Sequence, residues 1–117
     1  MSVRTERASG LIRKEIAAML LNGEIHDPRL GGVISITDVE MSRDLQYATV
    51  FFTQYGGEES EGLEGLTRAS GFIRRQLGRR LKMRRVPELR FKADGSFKQA
   101  EKIERLLHQI KIPPKEA

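Results

Sequence analysis

The sequence predicts an α+β domain of two layers, a three-stranded sheet with helices over one face. Three observations predict it. Apolar residues repeat at helical spacing near both ends of the chain, two β-branched runs stand back to back in its first half, and a short alternating run follows a proline late in the sequence. At 117 residues the chain is long enough for one core and too short for a catalytic domain joined to a separate recognition domain. It reads as one domain over 1–112 with a short flexible tail at 113–117.

Residues 3–21 form the first helix. Ala8, Leu11, Ile12, Ile16, Met19 and Leu20 recur at intervals of three and four, leaving Arg7, Arg13, Lys14 and Ala17 outside. Asn22-Gly23 supplies the stop, since glycine accepts the positive φ that follows a last turn. Asp27-Pro28-Arg29-Leu30-Gly31-Gly32 is a loop. Two strands follow, 33–41 and 45–55, with only Ser42-Arg43-Asp44 between them, so they pair as an antiparallel hairpin. Along the second, Ala48, Val50 and Phe52 point one way and Tyr47, Thr49, Phe51, Thr53 and Tyr55 the other. Phe51 and Tyr55 suit either base stacking or packing against a chain terminus.

Gly56-Gly57 breaks the strand, and Glu58, Glu59 and Glu61 mark a helix N-terminus, where negative charge is favoured. Leu63, Leu66 and Ala69 give that helix its stripe, although Gly62 and Gly65 weaken it. A further helix runs from Phe72 to about Lys82 and buries Ile73, Leu77 and Leu81; the two helices meet at Arg68-Ala69-Ser70-Gly71-Phe72. Val86-Pro87 ends it and opens an edge strand with Leu89 and Phe91 inward. Ser96-Phe97-Lys98-Gln99 is a capping box for a last helix striped by Phe97, Ala100, Ile103, Leu107 and Ile110.

Charge points to the partner. Between Arg68 and Lys92 stand ten basic residues and one acid, Glu88, a local charge of +9; the chain as a whole carries +5, so the remainder carries −4. Arg74, Arg75, Arg79, Arg80 and Lys82 have no acid at helical spacing, and eight of the ten cations are arginines, whose guanidinium binds phosphate bidentately and stacks on bases. A basic block on a mildly acidic body is the footprint of a surface for polyanions. Arg74, Arg75, Arg79, Arg80 and Lys82, extended by Arg84 and Arg85, form the expected RNA-binding groove, with Arg75, Arg79 and Lys82 on one exposed face. Arg4, Arg7, Arg13 and Lys14 on the first helix are either a second contact or a solvated face.

Enzyme chemistry finds no foothold. Cysteine is absent, the two histidines His26 and His108 are distant, and there is no phosphate-binding or nucleophile-elbow motif. Asp38, Glu40 and Asp44 cluster at the hairpin, where turn formation explains them better than a metal does. No apolar run approaches the ~20 residues that span a bilayer, and the first residues lack a signal-peptide core. The expectation is a cytoplasmic, non-enzymatic RNA-binding protein without cofactor or metal. A small RNA-processing enzyme is the disfavoured alternative.

Several segments, in order, carry a resemblance. They are Asp27-Pro28-Arg29-Leu30, Thr37-Asp38-Val39-Glu40-Met41-Ser42-Arg43-Asp44-Leu45, Ala48-Thr49-Val50-Phe51, Ala69-Ser70-Gly71-Phe72-Ile73-Arg74 and Val86-Pro87-Glu88-Leu89-Arg90-Phe91. Asp94 and Ser96 then precede Ile103 to Leu107. Together they resemble the ribosome-binding factor A family, bacterial assembly factors of the small subunit. The resemblance implies a type II KH-like fold, α-β-β-α-kink-α-β plus a C-terminal helix on a three-stranded mixed sheet. It implies that Ala69, Ser70 and Gly71 form the interhelical kink that replaces the GxxG loop of other KH domains. It also implies binding to the immature 30S subunit through 16S rRNA and not to mature 70S ribosomes. Help with late maturation and 5′-end processing, a role in the cold, and release aided in some bacteria by a GTPase complete the expectation, for a monomer. A general KH-like RNA chaperone is the alternative, and such modules use the GxxG that this junction lacks.

Overall fold

The alternating runs become strands and the helical stripes become helices in the computed structural model, which describes residues 3–95. The expected C-terminal helix with its Ser96 capping box, His108 and the 113–117 tail lie outside the described residues. The order is α1 (Val3–Leu21), β1 (Val33–Met41), β2 (Tyr47–Tyr55), α2 (Glu59–Leu81) and β3 (Glu88–Ala93). In the sheet β2 is central, antiparallel to β1 and parallel to β3.

Helix α1 buries Thr5, Ile12, Ile16 and Met19, but Leu11, expected on the same stripe, is 45% exposed. The helix ends in a two-bond clasp around Gly23 at φ 69°: the Glu24 amide donates to the Met19 carbonyl (2.9 Å) and the Gly23 amide to that of Leu20 (3.2 Å). The clasp turns Ile25 into the core.

Strand β1 matches its expected bounds, but its pairing with β2 shifts between Ile36 and Asp38. Thr37 is the extra residue, and its hydroxyl donates to the Asp94 carboxylate (2.5 Å). The shift changes which parity faces inward: Ile36 is buried before it, Val39 and Met41 after it. Strand β2 starts at Tyr47 and not at Leu45, because the turn is longer than Ser42-Arg43-Asp44. Leu45 adopts left-handed backbone at φ 61° and donates its amide to the Ser42 carbonyl (3.0 Å). The Asp44 carboxylate accepts the Ser42 hydroxyl (2.7 Å) and the Gln46 amide (3.1 Å); these two donors hold its pKa below the ordinary value. Strand β3 lies at the edge, as Pro87 requires.

The two helices expected to meet at 68–72 are one 23-residue helix, α2. It passes through Ala69, Ser70 and Gly71 without a break, and none of the three has positive φ. The reason lies in the spacing. Leu66, Ile73 and Leu77 are fully buried at intervals of seven and four, so one stripe stays in phase across the expected junction. Leu63 lies off that stripe and is 37% exposed. Gly62 and Gly65 are contact points: a Cβ on Gly62 would fall 2.0 Å from Gln54 Oε1, and one on Gly65 would fall 2.9 Å from Leu30 Cδ2. Gln54 in turn donates its amide to the Gly31 carbonyl (2.7 Å), so the glycine face of α2 seats the loop that enters β1.

The core is one cluster between sheet and helices. Ile36, Val39, Met41, Ala48, Val50, Phe52, Leu89 and Phe91 meet Ile12, Ile16 and Met19 of α1 and Leu66, Ile73 and Leu77 of α2. Both helices therefore cover one sheet face, as the pattern of the sequence predicts.

Candidate nucleic-acid interface

The basic surface is built on three supports. The first is the regular second half of α2, where Arg75 and Arg79 stand one turn apart and exposed. Gly71 lies beside them, its missing Cβ 3.6 Å from the Arg75 guanidinium. The missing side chain leaves that guanidinium uncovered on the Gly71 side. Ala69 and Ser70 are half-buried, with Ala69 packed against the core. The second support is the helix end. Lys82 caps α2 in left-handed backbone, φ 52° and ψ 39°, so its side chain leaves the helical spacing it was expected to share with Arg75 and Arg79.

The third support is the segment from Met83 to Pro87. Met83 and Val86 pack against the core and Pro87 is buried, whereas Arg84 and Arg85 are exposed. Gly78 leaves room for Val86, whose Cγ2 would lie 3.2 Å from a Cβ there. Arg74 reaches across and donates from Nε to the Pro87 carbonyl (3.1 Å) and from Nη2 to the Val86 carbonyl (3.0 Å). Arg74 thus positions the segment, and the anchored backbone turns Arg84 and Arg85 outward.

Arg80 does something else. Its guanidinium bonds the Glu24 carboxylate and lies 3.6 Å from that of Glu15, which raises its already high pKa, the Glu24 bond first and the field of both acids after it. Both acids come from the α1 side, so Arg80 ties the two helices together and presents less charge to a partner than expected. Sequence spacing could not show this, because Glu24 is 56 residues away. Arg68 pairs with Glu64 one turn back at 4.0 Å.

Sequence reasoning missed a contact on the strands. The parallel register sets Tyr47 opposite Glu88 and Thr49 opposite Arg90, and the Arg90 guanidinium stacks 4.1 Å from the centre of the Tyr47 ring. Arg90 also pairs with Glu88 at 3.7 Å. The only signal was the outward alternation of Glu88, Arg90 and Lys92, which names no partner. On α1, Arg4, Arg7, Arg13 and Lys14 are all exposed; Arg4 and Arg7 sit near the Met83 segment, while Arg13 and Lys14 lie further along the helix.

The acidic residues have structural work. Asp27 accepts the Arg29 backbone amide (2.9 Å) and sits 3.4 Å from its guanidinium, which lowers its pKa, the backbone bond first. His26 beside it is exposed. Asp38 accepts the Val39 amide (2.8 Å). Among the described residues no group of three or more His, Asp or Glu side chains is placed to hold a metal ion, and no helix is long and apolar enough to cross a membrane.

Comparisons with known proteins identify what the whole chain is similar to. The family model of Ribosome-binding factor A matches residues 4–107. Ribosome-binding factor A of Magnetococcus marinus is 47% identical over 115 residues, 97% of this chain and 94% of that protein. The protein of the same name from Caldanaerobacter subterraneus is 45% identical over 94% of this chain and 91% of its own. Among solved structures, the crystal structure of ribosome-binding factor A from Thermus thermophilus superposes with a TM-score of 0.66 at 28% identity, covering 76% of this chain and 94% of that one. A homology model of the Thermus protein, fitted into a cryo-EM map of a 30S–RbfA complex, gives a TM-score of 0.61 at 28% identity over 72% of this chain and 88% of that one.

Proposed function

The chain belongs to the ribosome-binding factor A family, and on that premise we propose that it binds the immature 30S subunit through 16S rRNA and acts there as an assembly factor without catalytic activity. The observation that carries this reading is the anchored basic surface: Arg75 and Arg79 on a helix whose other side is core, with Arg84 and Arg85 turned outward by the Arg74 clamp. The backbone under these arginines is held by the core and by Arg74, so only the side chains have to be ordered when they meet phosphates, which suits recognition of a folded RNA surface. Lys82 adds charge at the helix end, and Arg4 and Arg7 extend the surface onto α1. The description of the Thermus complex names the 30S subunit as that relative's partner.

Help with late rRNA folding and 5′-end processing, importance in the cold, action in the cytoplasm as a monomer, and release aided by a GTPase belong to the same proposal. The Ala69-Ser70-Gly71 kink enters it as the counterpart of the GxxG loop, carried within one continuous helix beside Arg75. Co-sedimentation tests the core of it. The protein is expected to migrate with free 30S subunits and to leave 70S ribosomes unbound; equal migration with both, or with bulk RNA, favours a general RNA chaperone. Five engaged cations imply about a hundredfold loss of affinity between ~50 and ~200 mM salt, and a flat response moves the site elsewhere. Cleavage of precursor rRNA by the pure protein would overturn the non-enzymatic part.

A further inference from the structure

The basic surface does not account for a cleft of about 760 Å³ at its edge, where the start of α1, the 42–46 turn and the Met83–Pro87 segment meet. Its volume falls in the ~300–1,000 Å³ range of clefts that enclose a ligand. The lining divides by chemistry. Met41, Leu45, Met83 and Val86 give an apolar floor, while Arg4, Arg84 and Arg85 stand around it with Tyr47 on one wall. Two acids also line it, and both are engaged: Asp44 by Ser42 and Gln46, Glu88 by Arg90. An adjoining apolar cleft of about 480 Å³ continues along α1 and shares Arg4, Ala8 and Met83 with the first.

A second observation marks the same place. Among the described residues only Leu45 and Lys82 hold left-handed backbone without being glycine. Leu45 lines the cleft and Lys82 directly precedes Met83, which lines both clefts. Such backbone costs free energy and gathers where the surroundings impose a shape for binding. Leu45 and Met83 both pack against the core from these positions.

We infer that this cleft is a site for unpaired nucleotides, in which the apolar floor of Met41, Leu45, Met83 and Val86 receives a base while Arg4, Arg84 and Arg85 meet the flanking phosphates. It rests on the reading of the chain as an RNA-binding protein and adds which form of RNA is taken. A duplex buries its bases in the stack and presents only backbone, so it gains from the arginines and nothing from the floor. A single strand gains from both, since every base has an apolar face and guanidinium planes stack on it. Three arginines around methionine and leucine side chains also suit an acidic peptide, but Arg74, which lines the cleft, precedes Arg75 on α2, so the cleft opens at the end of the helix that carries the basic face. The occupant is therefore a single-stranded segment of RNA.

The test compares a single-stranded RNA of ~24 nucleotides and unstructured mixed sequence with a duplex of two ~12-nucleotide strands, which carries about the same charge. Anisotropy gives the affinities, and amide chemical shifts of the 15N-labelled full chain give the site. The single strand is expected to bind about tenfold more tightly than the duplex and to shift the amides of Leu45, Met83, Arg84 and Arg85. Replacing both Arg84 and Arg85 with Ala, at exposed positions that leave the fold intact, is expected to cut single-strand affinity about tenfold and duplex affinity about twofold. Equal affinity for the two RNAs, or shifts confined to the α2 face around Arg75 and Arg79, overturns the inference. So does a poly-glutamate peptide that displaces the single strand at equal charge, because the cleft is then a peptide site. If any of these occurs while the wild-type chain still co-sediments with 30S subunits, the cleft inference fails alone. Loss of 30S and RNA binding together defeats the parent reading as well.

Discussion

The two halves of α2 share one buried stripe and otherwise have opposite character. The first half begins with Glu59 and Glu61 and carries Gly62 and Gly65 against the chain, so close that side chains there would meet Gln54, Leu30 and Arg29. Glu64 in this half lies 3.4 Å from Arg29 of the β1 entry loop. The second half packs only Ile73 and Leu77 deeply and covers its remaining surface with arginine. Missing side chains hold the first half to the molecule; projecting ones make the second half available to a partner. One helix can do both because its register is continuous, and a hinge at Ala69-Ser70-Gly71 would have let the charged half move relative to its support.

The sharpest way to break the packed half lies in the loop it seats. Gly32 has φ 73°, and a Cβ there would fall 2.0 Å from the Tyr55 carbonyl oxygen. Gly32→Ala is expected to destabilise the domain by about 3 kcal/mol in urea unfolding, with 30S binding retained by the molecules that stay folded. In the charged half, Arg75→Glu with Arg79→Glu is expected to lower affinity for 30S subunits about a hundredfold at moderate salt and to leave the melting temperature unchanged; unchanged binding would remove this face from the site. Gly65→Ala tests whether the first half is notched by need. Leu30 and Arg29 must give way, and we expect about 1–2 kcal/mol of destabilisation with no change in RNA affinity; a stabilised variant would show that helix propensity outweighs the contact.

Arg80→Ala separates structural from functional arginine: the melting temperature is expected to fall, by less than for Gly65→Ala, while 30S affinity changes less than for either Arg75→Ala or Arg79→Ala. The smallest effect concerns acid. The folded pKa of Asp44 is depressed, so its contribution to stability is present above the ordinary carboxylate range and is lost as pH falls through the folded value. Asp44→Asn is expected to flatten the decline of melting temperature below about pH 4. A decline as steep as in the wild type would leave Asp27, whose pKa is depressed in the same direction, as the acid-sensitive turn.

Much of this was legible beforehand. The bounds of α1 and β1 follow from apolar spacing, the inward set Ala48, Val50 and Phe52 from alternation, and the edge position of β3 from Pro87. The Arg75 and Arg79 face follows from a four-residue interval. Other features were misread for identifiable reasons. Gly62, Gly65 and Gly71 weaken a helix by intrinsic propensity, and the expected break came from that weakness; the in-phase burial of Leu66, Ile73 and Leu77 overrode it. Leu45 read as strand because leucine seldom takes positive φ, and nothing local announces that Ser42 and Asp44 will enforce it.

By itself the sequence determined periodicity, sign of charge and chain order, because each is a property of neighbours along the chain. That sufficed for the α+β class, the side of each element that is core, and a basic surface in the second half of α2. Tertiary structure alone decided which cations are committed elsewhere, since Arg80 meets Glu24, Arg74 meets the Val86 and Pro87 carbonyls, and Arg90 meets Tyr47 only after distant segments pack. It also decided the change of parity at Thr37 and the cleft behind Arg84 and Arg85, whose walls come from four separate stretches of chain. The physical reason is common to all of these. Pairing and enclosure depend on distances through space, and a linear pattern of residues fixes those distances only within a turn of helix or a step of strand.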